Sequence, residues 1–499
     1  LLAGFEAQEG KYEWLFAARD NLPNNELREL NLGDAGTQVN MGGAGHWALL
    51  SYFGRLNYNF KDRYLLTTTL RADGSSRFGP NNRYGLFPSA AFAWRASEEP
   101  FLKDIESISN LKVRLGYGAV GNQEIGFYSF ATNLRAAQVV IGDQLQTGFV
   151  PDNIANPDVK WESSIQTNFG IDFGLFNNRL EIVLDIYEKT SKDMLLPAIL
   201  PAFAGSLNAP FINIGEMKNS GVEVTLRTQN TTGKFNWKTN ANISVNRNEV
   251  VDLGSTGSLT GILQRLPVTR TEEGLPIAQF YGYVTDGIFN TLDEIAEAPF
   301  QEVGTRPGDI RFKDLNNDGV INDADRTFIG SPHPDFTANI INDFSFANFD
   351  LNIFFRGVFG NEVFNMLRRD IAGTGAWHNQ SVDIIDRWTA NNQDGVEPRS
   401  NGNDPNQNRR VSDRFVEDGS YIRLQNVTLG YNFPASLCKK LRITNFRIYA
   451  SAQNLFTITD YSGYDPEIGS FNQNPLLNGL DNGRFPVARS FTFGANLSF

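Results

Sequence analysis

The stretch 314–325, DLNNDGVINDAD, carries side chains whose types and spacing suggest ion chemistry. Asp314, Asn316, Asp318, Gly319, the Val320 carbonyl, Asn322 and Asp325 fall on positions 1, 3, 5, 6, 7, 9 and 12 of a calcium loop. Hard oxygen donors at alternate positions can converge on a cation such as Ca²⁺, and glycine at the sixth position permits the sharp turn that aims them inward. Asp325 stands where a bidentate Glu is usual, so its reach is shorter. A helix-pair sensor needs a helix on each side, whereas PGDIRFK before the loop and RTFIGSP after it read as extended. Two readings stay open: a cation that rigidifies an insertion over 308–330, or an Asx-rich turn held by its own side-chain-to-backbone hydrogen bonds.

Nothing else in the chain reads as a reaction centre. No Ser/His/Asp or Cys/His arrangement stands out, and GSSRFG at 74–79 lacks the Lys-Ser/Thr ending of a phosphate loop. Glu272 and Glu273 sit in a Gly-flanked acidic loop and read as a solvated turn. One cysteine, Cys438, excludes an internal disulfide framework and a Cys-cluster metal site, and three histidines (His46, His333, His378) make a His-rich centre improbable. The expectation is therefore no enzyme. A net charge of -12, from 44 Lys+Arg against 56 Asp+Glu, argues against nucleic acid as a partner.

The elements that must position these residues are strands. In LEIVLDIYEK, Leu180, Leu184 and Ile186 share one face and Glu181, Asp185 and Tyr187 the other. Phe235, Trp237, Ala241, Ile243 and Val245 alternate with Asn236, Lys238, Asn240, Asn242 and Ser244. The same holds for Phe491, Phe493, Ala495, Leu497 and Phe499 against Ser490, Thr492, Asn496 and Ser498. Such strands bury one face in apolar surroundings and turn the other to water. The pattern predicts strands near 5–18, 51–60, 64–73, 86–95, 111–120, 159–173, 179–190, 217–228, 235–249, 335–346, 349–358, 420–432, 442–456 and 487–499. Short turns at 61–63, 175–178, 230–234, 347–348 and 434–440, and a segment at 96–110 with room for one helical turn, alternate with long Gly/Asn/Pro-rich loops. Those loops are 19–50, 74–85, 121–158, 191–216, 250–334, 359–419 and 457–486. Mean hydropathy is -0.32, and no run approaches the roughly 18 apolar residues of a membrane helix. Short turns at one rim and long loops at the other are the layout of an outer-membrane barrel. Backbone groups in a bilayer must all be bonded, so a spanning sheet has to close on itself. The expected fold class is all-β, a transmembrane antiparallel β-barrel with long extracellular loops. About 14 strands are few for loops this large, and LLAGFEAQEGKYEWLF has no basic n-region or apolar h-region. The expectation is that 1–499 is the C-terminal part of a larger barrel.

Several segments, spread from end to end, carry a resemblance. They are GRLNYNFKDRYLLTTTLRADGSSRF (54–78), LFPSAAFAWR (86–95), LKVRLGYGAVGNQEI (111–125), WESSIQTNFGIDFGLFNNRLEIVLDIYEKTSKDML (161–195), NIGEMKNSGVEVTL (213–226), GDIRFKDLNNDGVINDADRTFIGSPHPDFT (308–337), DGSYIRLQNVTLGYNFP (418–434) and RIYASAQNLFTITDYSGYDPE (447–467). In these the chain resembles the SusC/RagA-type TonB-dependent transporters of Bacteroidota outer membranes. The resemblance implies a barrel of about 22 strands, with a signal peptide, a TonB box and a plug domain that are absent from this chain. It also implies active import of a large nutrient, a glycan or a peptide. The implied partners are a SusD-like surface lipoprotein as lid, TonB–ExbB–ExbD acting through the missing plug, the barrel assembly machinery and outer-membrane lipid. A passive porin-like barrel or an adhesin, and a soluble calcium-binding β protein, are the alternatives.

Four smaller expectations remain. Phe499 ends an alternating aromatic strand and resembles the signal read by the assembly machinery; an ordinary closing strand is the alternative. Trp14, Trp47, Trp161, Trp377 and Trp388 lie near loops or strand ends, as in an interfacial girdle, and Trp47 and Trp377 inside long loops invite glycan stacking or simple loop packing. HNQSVDIIDRW (378–388) reads as a short amphipathic helix that packs on its own loop or meets a partner. Arg71, Asp73, Arg77, Arg95, Arg356 and Arg423 read as lumen-facing charges.

Overall fold

The computed structural model describes residues 1–198, 208–372, 379–440 and 442–499. Among them the largest sheet has fourteen strands, its neighbours following the order of the sequence. The strands are β1 (Leu2–Ala18), β2 (Val39–Phe60), β3 (Tyr64–Ser75), β4 (Tyr84–Arg95), β5 (Ile108–Asn122), β6 (Glu162–Leu175) and β7 (Leu180–Lys192). Then come β8 (Glu216–Thr231), β9 (Phe235–Asp252), β10 (Phe336–Phe346), β11 (Phe349–Phe359), β12 (Tyr421–Asn432), β13 (Asn445–Thr459) and β14 (Ser490–Ser498). The shortest has 9 residues, and about 9–11 span a bilayer. No described helix is long and apolar enough to cross a membrane.

Two compact units divide the chain. The first comprises Leu1–Trp94, Leu115–Thr167 and Lys189–Glu216. Its register fixes two faces: Tyr52, Leu56 and Tyr58 lie opposite Ala72, Thr68 and Leu66, while Ser51, Arg55 and Asn57 lie opposite Asp73, Thr69 and Thr67. The apolar rank is exposed at Tyr52, Leu56, Tyr58 and Phe60, as a lipid-facing surface must be. The connection at Lys61 and Asp62 takes positive φ at both residues, the backbone whose twist matches a tight hairpin. Phe78, Phe87, Ile125, Val159 and Trp161 form a buried cluster under the strand ends.

The second unit comprises Arg95–Arg114, Asn168–Glu188 and Met217–Phe499. In β9 to β11 the polar rank Asn240, Asn242, Asn339 and Arg356 lines a small cavity of about 310 Å³, and the opposite rank pairs Phe346 with Phe349, Phe344 with Leu351 and Ile340 with Phe355. Three long connections of this unit carry their own structure. Ser258–Leu263, Leu266–Glu272, Gln279–Gly282 and Thr327–Gly330 make a four-stranded sheet, and Glu362–Asn365 pairs with Val416–Asp418 and with Leu480–Asp481.

The alternation located all fourteen strands, and several boundaries need correction. β2 starts at Val39 rather than 51, paired with β1 from Val39 to Arg55. The loop expected at 121–158 holds a hairpin, Leu134–Ile141 with Gln144–Pro151, and the turn expected at 434–440 holds a helix, Ala435–Lys440. The segment 96–110 contains one 3-10 turn, Ala96–Glu98.

Candidate functional site

The long connections of the second unit meet around a shared core of Leu263, Val268, Phe280, Phe364, Met366, Val411, Phe415, Leu477 and Leu480. These residues come from three separate loops, so none of the loops can bury its apolar side chains alone. A buried polar knot ties two of them. Asn406, fully buried, donates to the Ile310 carbonyl at 2.9 Å and accepts from Gln301 at 3.0 Å and Thr305 at 2.7 Å. Asn408 accepts from the Ile310 N–H at 2.8 Å and donates to Asp309 at 3.0 Å. The fully buried Asp309 receives two bonds from Arg399, at 2.8 and 2.9 Å. Every member is satisfied, which is the condition under which a buried network makes a rigid element. Tyr461 donates to Asp481 at 2.6 Å, and burial pushes its hydroxyl pKa far above the ordinary value. Against this layer a cavity of about 670 Å³ is lined by Asp383, Asp386, Glu397, Glu417, Asp460 and Arg368 among others.

The loop 314–325 sits in the same unit, between the short strand Ile310–Phe312 and Thr327–Gly330. The extended flanks expected from the sequence are present. Asp314 accepts the N–H groups of Asn317 and Gly319 at 2.7 and 2.8 Å, and Asp318 accepts that of Val320 at 2.9 Å. The last bond, with help from Asn316, holds the Asp318 carboxyl below its usual range. Asn316 and Asn322 each close an Asx turn, onto Asp318 N–H and Ala324 N–H. Gly319 takes φ +83, which only glycine adopts freely. Asp325 behaves differently from the expectation of a ligand. It is fully buried, and its two oxygens accept the N–H groups of Leu315 and Asn322, at 2.9 and 2.8 Å, in a capping box. It staples the loop shut. Asp314, Asn316, Asp318, Val320 and Asn322 stay exposed or half-buried at the turn. No group of three or more His, Cys, Asp or Glu side chains able to hold a metal occurs among the described residues.

On the polar face of the strands, arginines reach across a neighbouring strand. Arg447 of β13 meets Asp350 of β11 at 2.5 Å, directly over Gly430 of β12. A Cβ at Gly430 would lie 2.5 Å from both partners, so a residue with no side chain opens the window. Gly170 of β6 does the same for Arg114 of β5 and Asp185 of β7, which meet at 3.0 Å. Arg423 is buried between Asp465 and Glu467, at 2.6 and 2.9 Å, and Arg356 reaches Glu467 at 3.2 Å. Arg71 pairs with Asp73 and Glu6, Arg77 with Glu124, and Arg95 with Glu98. Each charge singled out in the sequence is thus held in at least one ion pair.

The tryptophan girdle is redistributed. Trp14 is exposed on β1, but Trp47 lies in β2 opposite Gly10 rather than in a loop. Trp161 is buried against Phe78 and Phe87, and Trp388 donates to Asn290 at 2.7 Å. Trp377 and His378 lie outside the described residues. From 379 onward the expected amphipathic helix is a five-residue 3-10 segment, Val382–Asp386, since Ser381 caps a turn too short to propagate. Phe499 follows β14 and is 91% exposed.

Comparison with known proteins fits this geometry. Residues 12–455 match the family described as "TonB dependent receptor-like, beta-barrel". TonB-dependent receptor P3 of Formosa agariphila is 38% identical over 510 residues, covering 100% of this chain and 50% of the relative. TonB-dependent receptor SusC of Bacteroides thetaiotaomicron is 32% identical, covering 90% of this chain and 44% of that protein. Among solved structures, the RagAB peptide transporter superposes with a TM-score of 0.82 at 27% identity, covering 100% of this chain and 53% of that one. The chain spans about half the length of these relatives.

Proposed function

The chain belongs to the TonB-dependent receptor-like β-barrel family of the outer membrane, and we propose that it forms the C-terminal part of a barrel that actively imports a large nutrient. A glycan or a peptide is the proposed cargo class, with a SusD-like lipoprotein as lid over the long loops. The observation that supports this most is the fourteen-stranded sheet with one apolar and one polar rank, crowned by loops that share a buried core. In a bilayer such a sheet completes a barrel through the further strands of the longer protein. The plug and TonB box belong, in this reading, to the length that relatives have and this chain does not span, and TonB–ExbB–ExbD acts there. The test is uptake of labelled glycans and peptides by the native bacterium, by a strain lacking this gene and by a strain lacking TonB. Loss of the same cargo in both mutants is expected. Uptake that needs this gene but persists without TonB would make the barrel a passive porin.

We propose further that the turn at 314–325 takes a hard cation, Ca²⁺ foremost, through Asp314, Asn316, Asp318, Asn322 and the Val320 carbonyl, with Asp325 as the internal staple. A carboxylate oxygen that accepts one N–H keeps a second lone pair free, so the hydrogen-bonded turn is compatible with a ligand set of weak, extracellular grade, on the order of 10⁻⁴–10⁻³ M. Millimolar calcium should protect 308–330 from protease relative to chelator, and Asp314→Ala with Asp318→Ala should abolish that difference. An identical digest of the wild type with and without calcium would end the proposal.

A further inference from the structure

A second cavity in the loop layer, about 640 Å³ in volume, is lined by four arginines, Arg326, Arg369, Arg409 and Arg410. A guanidinium stays charged and carries five N–H donors in a fixed fork. Arg369 donates its Nε to the Arg409 carbonyl at 2.8 Å. Arg369 and Arg409 share one oxygen of Asp370, at 3.1 and 2.9 Å. Arg410 donates to Glu302 at 2.8 Å, and Glu302 offers the same oxygen to Gln407. Arg326 forms no ion pair among the described residues and bonds only the carbonyls of Pro267 and Tyr281, at 2.7 and 2.9 Å. Two further acidic residues, Asp404 and Asp323, line the cavity, and Asp404 acts on Arg369 through its charge. Asp404 caps the N–H groups of Asn408 and Arg409, and Asp323 accepts the Tyr283 hydroxyl.

Three guanidinium nitrogens are left buried and unpartnered: Arg326 Nε, Arg409 Nε and Arg410 Nη1. The Arg410 side chain is 8% exposed and is fixed against the rings of Tyr283 and Phe312, at 5.2 and 5.1 Å. Arg326 lies 4.9 Å from the Tyr281 ring. Stacking pre-organises these cations without giving them an anion. Burial and the neighbouring Arg409 push the pKa of Arg369 down, a mark of crowded positive charge. These three nitrogens are shielded from solvent, so the site is carried by the four guanidinium groups that line the cavity, one of which, Arg326, has no carboxylate partner among the described residues.

We propose that this cavity is an oxyanion site, taking a carboxylate or a sulfate ester on a solute of one or two sugar rings or amino-acid residues in size. Forked guanidinium groups match the paired oxygens of either anion, and the volume lies within the range of small-molecule pockets. Tyr283, Leu266 and Pro267 line the same cavity and give the ligand body an apolar wall. Binding here is separable from import and can be measured on a protein that transports nothing.

The experiment is calorimetric titration of the full-length protein in detergent, at physiological salt, with glucuronate, glucose 6-sulfate and glucose. At least one anion should bind while glucose does not, and the preferred anion identifies the source. Arg326→Gln should weaken that binding at least tenfold while heat-modifiable migration stays native; Arg409→Gln serves if the first variant fails to assemble. Silence from both anions, equal binding of glucose, or unchanged affinity in an assembled variant would each overturn the site.

Discussion

The knot around Asp309 offers the sharpest mutational test of how the loops are held. In Asp309→Ala the carboxylate loses both Arg399 bonds, the Asn408 donor and the Arg306 N–H at 2.8 Å. Removing one partner of a buried ion pair costs about 3–5 kcal/mol. Arg399 is 21% exposed at its side chain, so water recovers part of its solvation and the lower end, about 3 kcal/mol, is expected. That is roughly a hundredfold in the local opening equilibrium. The loss falls on the loops, because the β10 and β11 ladder makes none of these bonds. Hydrogen exchange of the assembled protein in detergent reads both regions at once. Amides at 300–312 and 399–408 should exchange roughly a hundredfold faster, with those of 336–359 unchanged. Arg399→Met should be at least as damaging, since it strands the buried carboxylate. Native protection at 300–312 in Asp309→Ala would refute the knot as the clamp; equal loss in 336–359 would refute its being local.

Three further outcomes are expected. Gly430→Val should force Arg447 and Asp350 apart at a cost of about 1–3 kcal/mol, lowering the heat-modification midpoint; in an Asp350→Ala background the cost should largely vanish, and full additivity would contradict the window. His333 sits half-buried, bonded to the Ile277 carbonyl at 2.7 Å, and partial burial pushes its pKa down despite that bond. The unfolded loop therefore binds more protons, so stability rises with pH and is lost as pH falls below about 6.5; protection factors near 277 and 333, corrected for the pH dependence of intrinsic exchange, should fall towards pH 5 in the wild type but not in His333→Gln, and a flat wild-type profile would contradict this. Deleting Phe499, proposed as the assembly signal, should lower the yield of heat-modifiable barrel, whereas undiminished yield would leave β14 as an ordinary closing strand.

The strands were legible because a sheet with lipid on one side and water on the other must alternate, and Phe491, Phe493 and Leu497 against Thr492, Asn496 and Ser498 do so without interruption. The start of β2 was not, because Gly42, Gly43 and Gly45 read as loop. In the sheet Gly43 faces Trp14, whose Nε1 would lie 2.7 Å from a Cβ there, so the glycine makes room for an aromatic on the next strand. The small sheets inside the long loops were hidden for another reason: Leu263, Phe364, Val411 and Leu480 lie in three different loops with no period linking them, and only their meeting makes a core. The candidate ion loop was visible by spacing, but the main-chain commitment of Asp325 was not. Asn406 and Asn408 looked like turn residues, and only their burial reveals a clamp. The arginine cavity draws on β-sheet, loop and helix residues from 266 to 411, a juxtaposition that no linear motif encodes.

We propose that this chain is the C-terminal part of a lidded, energised importer, and the decisive experiment is native mass spectrometry of the protein purified from its own outer membrane in mild detergent. A chain much heavier than 55.6 kDa with a lipoprotein bound is expected. A lone chain of 55.6 kDa without a partner would contradict it.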